Sequence, residues 1–176
     1  MMRRAVIFAI CALSASCMAN SEDWNAYISQ VSNADRYTLR ELPTRVKNIG
    51  DQLDDEHAAQ LANAIGLALL KDPVNVLKAA DVIDAYPDEL QQRFGTSLIC
   101  AIPSQAEGTP AQIERYFSQA EPVLIKAGAT ATACLEDMRA IMDEFRQEYN
   151  QFRLHSSLNN LTPAEFARSH QKGLGL

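Results

Sequence analysis

Along most of this chain apolar residues recur at intervals of three and four, the spacing that places them on one face of an α-helix. Trp24, Tyr27, Ile28 and Val31 follow a capping run of Ser21, Glu22 and Asp23. Leu39, Leu42, Val46 and Ile49 form the next stripe, between Asp35 and Ile49, with Pro43 expected to break it. Asp54, Asp55 and Glu56 then open a helix whose stripe is Ala58, Leu61, Ala62, Ile65, Leu69 and Leu70, and an acidic first turn suits the helix dipole. Asp72-Pro73 stops that helix and starts another, Asp as cap and Pro in the first turn, with Val74, Val76, Leu77, Ala80, Val82 and Ile83 carrying it to Tyr86.

Pro87-Asp88 restarts the chain, and Leu90, Phe94, Leu98 and Ile99 keep helical spacing, interrupted at Gly95. Ile102 to Gly108 reads as a loop, rich in Pro, Ser, Gln and Gly. Thr109, Pro110, Ala111 and Gln112 form a capping box ahead of Ile113, Tyr116, Phe117, Ala120 and Leu124, with Pro122 a candidate kink and Gly128 the end. Beyond it Leu135, Met138, Ile141, Met142, Phe145 and Tyr149 make one more stripe. A polar turn follows from His155 to Asn160, and a second capping box, Thr162 to Glu165, opens a short helix holding Phe166. No stretch alternates with period two. The pattern predicts an all-α chain, a small bundle or stack of about five to seven short helices.

The first residues are built differently. Arg3 and Arg4 precede the uncharged run Ala5 to Leu13, and small residues follow to Ala19, which is the three-part layout of a secretory signal. The apolar run is too short to span a bilayer comfortably. Cleavage after Ala19 would release a soluble periplasmic or secreted product. Leu13 to Cys17 also resembles a lipobox, which would anchor the protein to a membrane through a lipidated Cys17. The expected organisation is a signal peptide at 1–19, a helical body at 20–134 and a distinct tail at 135–176.

Composition narrows the classes further. Aromatic residues make up only 7% of the chain, which favours helices over sheets. The formal charge of −6 and a pI near 5.0 leave no basic stripe for neutralising phosphates, so no nucleic-acid partner is expected. Cys11 and Cys17 fall in the signal, and export leaves Cys100 and Cys134 as one pair in an oxidising compartment. A disulfide between them is expected, the alternative being two buried free thiols.

Candidate chemistry in the body is sparse. Asp54, Asp55, Glu56 and His57 superficially suggest a metal site, but adjacent helical positions point in different directions and read better as a solvated capping turn. Asp81 and Asp84 share a face without a third ligand, and Tyr86, Tyr116 and Phe117 read as core or interface aromatics. No catalytic residue, metal site or cofactor is expected.

The tail carries a more specific signal. Arg139, Phe145-Arg146, Tyr149-Asn150, Arg153, His155-Ser156-Ser157-Leu158 and Thr162-Pro163-Ala164-Glu165-Phe166 together resemble the C-terminal end of insertion-sequence transposases with a retroviral-integrase-like core. The resemblance covers about Leu135 to Gly173, with Leu154 where the family usually has Pro and Phe145 where Trp is common. In that family the chemistry belongs to two Asp and one Glu that converge on metal ions. Those carboxylates lie upstream of the segment preserved here, so the resemblance implies ancestry in DNA integration without its active site. The expected history is an insertion element whose end replaced a native C-terminus, with the junction between Gly128 and Glu136. The body is expected to act as a non-catalytic exported interaction module of the inhibitor or immunity kind, with a protein partner in the periplasm. The alternative is a transposase-related role in DNA integration.

Overall fold

The computed structural model describes residues 21–105 and 108–173, so the proposed signal, with Cys11 and Cys17, lies outside the described residues. The described chain is all-α, as the periodicity predicts. Its helices are α1 (Ser21–Ser32), α2 (Arg36–Ile49), α3 (Asp55–Leu69), α4 (Pro73–Ile83), α5 (Asp88–Phe94), α6 (Thr96–Gln105), α7 (Pro110–Ala127), α8 (Thr132–Gln151) and α9 (Pro163–Gly173). No described helix is long and apolar enough to cross a membrane.

Most helix starts are fixed by one polar side chain. Asp35, Asp54 and Asp72 each accept a hydrogen bond from the backbone N–H three residues on, at Thr38, His57 and Asn75. Thr109 and Gln112 close the expected capping box, and Pro110 occupies the first turn of α7. Gly128 ends α7 with φ +67°, a conformation that side chains with a Cβ rarely adopt.

Proline and loop expectations need correction. Pro43 lies inside α2 and is buried, and the helix continues through it because Leu39, Leu42 and Val46 on the same face are all buried in the core. Pro122 lies inside α7. The expected loop from Ile102 to Gly108 is largely absent, since α6 runs on to Gln105. The helix from Pro73 stops at Ile83 rather than Tyr86, and Gly95 separates α5 from α6.

That last break has a direct cause. Asp84 Oδ1 accepts the Thr96 N–H at 3.0 Å, so a side chain just past α4 caps α6. A Cβ on Gly95 would sit 2.3 Å from that same oxygen and 2.4 Å from the Gln91 carbonyl. Close approach, and not unusual backbone angles, is what the glycine provides.

Alternate helices pair in space: α1 packs on α3, α2 on α4 and α6 on α8, with α7 beside α8. One continuous core runs from Val31, Leu42 and Val46 through Ile65, Ile83 and Phe94 to Leu124, Met138 and Met142. The α2–α3 connection is held by Arg93, whose guanidinium donates to the Gly50 and Leu53 carbonyls at 2.7 Å each. Tyr116 does the same for α3, donating its hydroxyl to the Gly66 carbonyl at 2.9 Å. Burial raises the pKa of that phenol, which stays protonated.

Candidate functional site

The tail is built into the core. Met138 and Met142, from the stripe on α8, have no exposed surface, and Cys134 is 2% exposed. Cys134 on α8 is bonded to Cys100 on α6, with sulfurs 2.05 Å apart and Cα atoms 5.2 Å apart. The disulfide reading of the two cysteines therefore matches the geometry.

Arg146 is the best-engaged residue of the sequence motif. Its Nε and Nη2 each donate to one carboxylate oxygen of Glu114 on α7 at 2.7 Å, a two-pronged pair, while its guanidinium carbon lies 5.2 Å from the Phe117 ring centre. The hydrogen bonds from Arg146 hold the Glu114 pKa below its usual value. Arg139 makes a parallel link, Nε to Glu121 at 2.8 Å. Two arginines of the tail thus clamp α8 to α7.

Past α8 the chain turns tightly. Tyr149 stacks along Phe145 at 6.2 Å and meets the His155 ring edge-on at 4.8 Å. The His155 N–H donates to the Leu161 carbonyl at 3.1 Å, and the Asn160 N–H donates back to the His155 carbonyl at 2.9 Å. Between them Ser156, Ser157 and Leu158 form a 3₁₀ turn. Asn159 and Asn160 both adopt positive φ, +57° and +58°, which asparagine tolerates better than most residues. Thr162 and Glu165 then close the second capping box: the Glu165 N–H donates to Thr162 Oγ1 at 3.2 Å, and the Thr162 N–H donates to Glu165 Oε2 at 3.0 Å. Pro163 sits at the first turn of α9, and Phe166 stacks on His170 at 4.0 Å. Asn150 and Arg153 remain exposed.

In the body, His57 Nδ1 meets Asp54 Oδ1 at 2.8 Å, and its ring lies edge-on to Trp24 at 5.2 Å. Asp55 and Glu56 stay exposed, and no three His, Cys, Asp or Glu among the described residues are grouped to hold a metal ion. Asp81 and Asp84 do not act together, because Asp84 is turned to the start of α6. Phe117 is buried, and Tyr86 and Tyr116 pack against the core as partly buried rings.

The contacts of Arg93, Asp84 and Glu114 carry no signal in the sequence, since each partner lies between 12 and 43 residues away. The motif residues were legible as a motif, but their partners on α7 were not.

Similarity to known proteins follows the same division. No match is found among curated proteins or among solved structures. The family model described as the integrase core domain matches residues 111–163, which is under half of the chain. The match begins at Ala111, inside α7, ahead of the interval where the sequence pattern placed the junction. It takes in both sides of the Arg146–Glu114 clamp and stops at Pro163. The C-terminal region of this chain is thus transposase/integrase-like, and the residues before it match no family.

Proposed function

We propose that the chain is a non-catalytic, exported interaction protein of the inhibitor or immunity kind, in which an integrase-type segment serves as a structural wall. The observation that carries this reading is where the motif side chains are spent. Arg146 on Glu114, Tyr149 on His155, and Thr162 on Glu165 are all intramolecular contacts that fix α8, the turn and α9. A segment employed in this way supports the fold, and recognition falls to the helical body. Export is favoured by the layout of residues 1–19 and by a bonded cysteine pair, which an oxidising compartment maintains.

Two measurements test the proposal. An intact, non-reducing mass after cell fractionation should give a periplasmic species cut after Ala19, or lipidated at Cys17, and two hydrogen atoms lighter than the dithiol. A full-length cytoplasmic species with all four cysteines reduced would sink the export reading. Affinity capture from periplasmic extract should recover a stoichiometric protein partner, and recovery of none would count against an interaction role. A DNA-integration role is the second reading, favoured by the family match alone. Salt-sensitive DNA binding together with Mg²⁺-dependent strand transfer by the purified protein would establish it.

A further inference from the structure

We propose that the groove between α2 and α4 is the partner-binding surface, and that its occupant is an amphipathic helix of a partner protein with carboxylates flanking an apolar stripe. The groove has a volume of about 600 Å³. Arg36, Arg40 and Pro43 line it from α2, and Asn75, Lys78 and Val82 from α4. These positions fall at three- and four-residue steps on each helix, so each helix presents one face to the groove. That is the shape in which a third helix lies between two others.

The lining decides the chemistry. Three cations stand on an otherwise acidic chain of net charge −6, and no carboxylate lines the groove among the described residues. Acids that flank these segments in sequence have partners of their own. Asp35 accepts from Thr38, and Asp72 accepts from both the backbone and side-chain nitrogens of Asn75. Glu41 pairs with the groove's own Arg40 at an exposed 3.3 Å, which leaves Arg36 and Lys78 as the cations that set the charge of the walls. Apolar surface is present as well: Val82 in the lining is 48% exposed. Cations along the walls and apolar contact within them complement an acidic, apolar-striped helix and repel a basic one.

The inference rests on the reading of the chain as an interaction protein and can fail separately from it. The probe is a fluorescein-labelled, stapled helical peptide with a leucine stripe and glutamate flanks, followed by fluorescence anisotropy against the full mature chain. Saturable binding that weakens as salt rises is expected, with no binding of the same peptide carrying lysine for glutamate. The double variant Arg36→Glu/Lys78→Glu should weaken binding at least about tenfold, and Val82→Ala should weaken it with little dependence on salt, because it removes apolar contact without adding charge. Unchanged thermal melts identify these as folded proteins. Absence of binding, equal binding of the lysine peptide, or indifference to both variants would overturn the proposal. So would retention on phosphatidylglycerol vesicles through the same arginines without peptide binding. Should the charge-reversed chain still capture a periplasmic partner, the interface lies elsewhere while the interaction role stands.

Discussion

Breaking the Cys100–Cys134 bond should lower the melting temperature of the whole chain in one step. The two cysteines are separated by 34 positions, and both are almost fully buried, at 1% and 2% exposure. Cross-linking a loop of that length removes conformational entropy from the unfolded chain worth about 4 kcal/mol on the chain-entropy estimate. In a domain of this size each kcal/mol moves the melting temperature by about 2–4 °C, so a fall of about 8–15 °C is expected. The assay compares circular dichroism melts of the oxidised protein, the protein reduced in denaturant and refolded under reductant, and the variant Cys100→Ala/Cys134→Ala. Reduction isolates the cross-link, while the double variant also removes two buried sulfur atoms and should melt slightly lower still. A shift under about 1 °C would refute the entropic reasoning, since the bond would then constrain nothing that the unfolded chain explores. Two separate transitions would refute the claim that α8 belongs to the same cooperative unit as α6.

Three further outcomes follow from the packing. Met142→Ala should cost about 2–5 kcal/mol in urea unfolding, because the side chain is fully buried on the core face of α8; a cost below 1 kcal/mol would mean α8 is a loosely held appendage. Gly95→Ala should destabilise by about 1–3 kcal/mol, since the new Cβ meets the Asp84 carboxylate and the Gln91 carbonyl; an unchanged melt would show that the α5–α6 corner gives way freely. The hydrogen bonds from Arg146 depress the Glu114 pKa in the folded chain, so their contribution is present above the ordinary carboxylate pKa and is lost as pH falls through the depressed value. Both side chains are about two-fifths exposed, so Glu114→Gln should cost only tenths of a kcal/mol to about 1 kcal/mol at neutral pH and nothing in acid. Equal loss at both pH values would assign the effect to packing.

What the sequence shows most reliably is what acts over three or four residues. Asp35, Asp54, Asp72, Thr109 and Thr162 bond to their own helix ends, so the signal and its partner sit in one short window. Proline was the main source of error. Its local cost argues for a break at Pro43, but the core contacts of Leu39, Leu42 and Val46 outweigh the lost backbone hydrogen bond. Periodicity names the buried face of each helix and is silent on which helix covers it, so the pairing of α1 with α3 and α2 with α4 was not legible. The groove between α2 and α4 was hidden for the same reason, since Arg36 and Lys78 read singly as ordinary solvated charges. The C-terminal motif was recognisable from residue types alone. Its anchoring in this fold involves Glu114, which precedes Arg146 by 32 residues.

The weave of the helices also bears on when the chain can fold. Trp24 bonds to Gln60, Tyr116 to Gly66, and α6 closes on α8, so the core is assembled from contacts distant along the chain. A nascent chain that has emerged only as far as α6 therefore holds half-covered helices and a Cys100 without its partner. Its completion waits for α8. On the export proposed above, a polypeptide that stays incomplete until α8 emerges would remain threadable through a translocation channel. On that reading α8 would set the moment at which the fold closes, in addition to holding it closed.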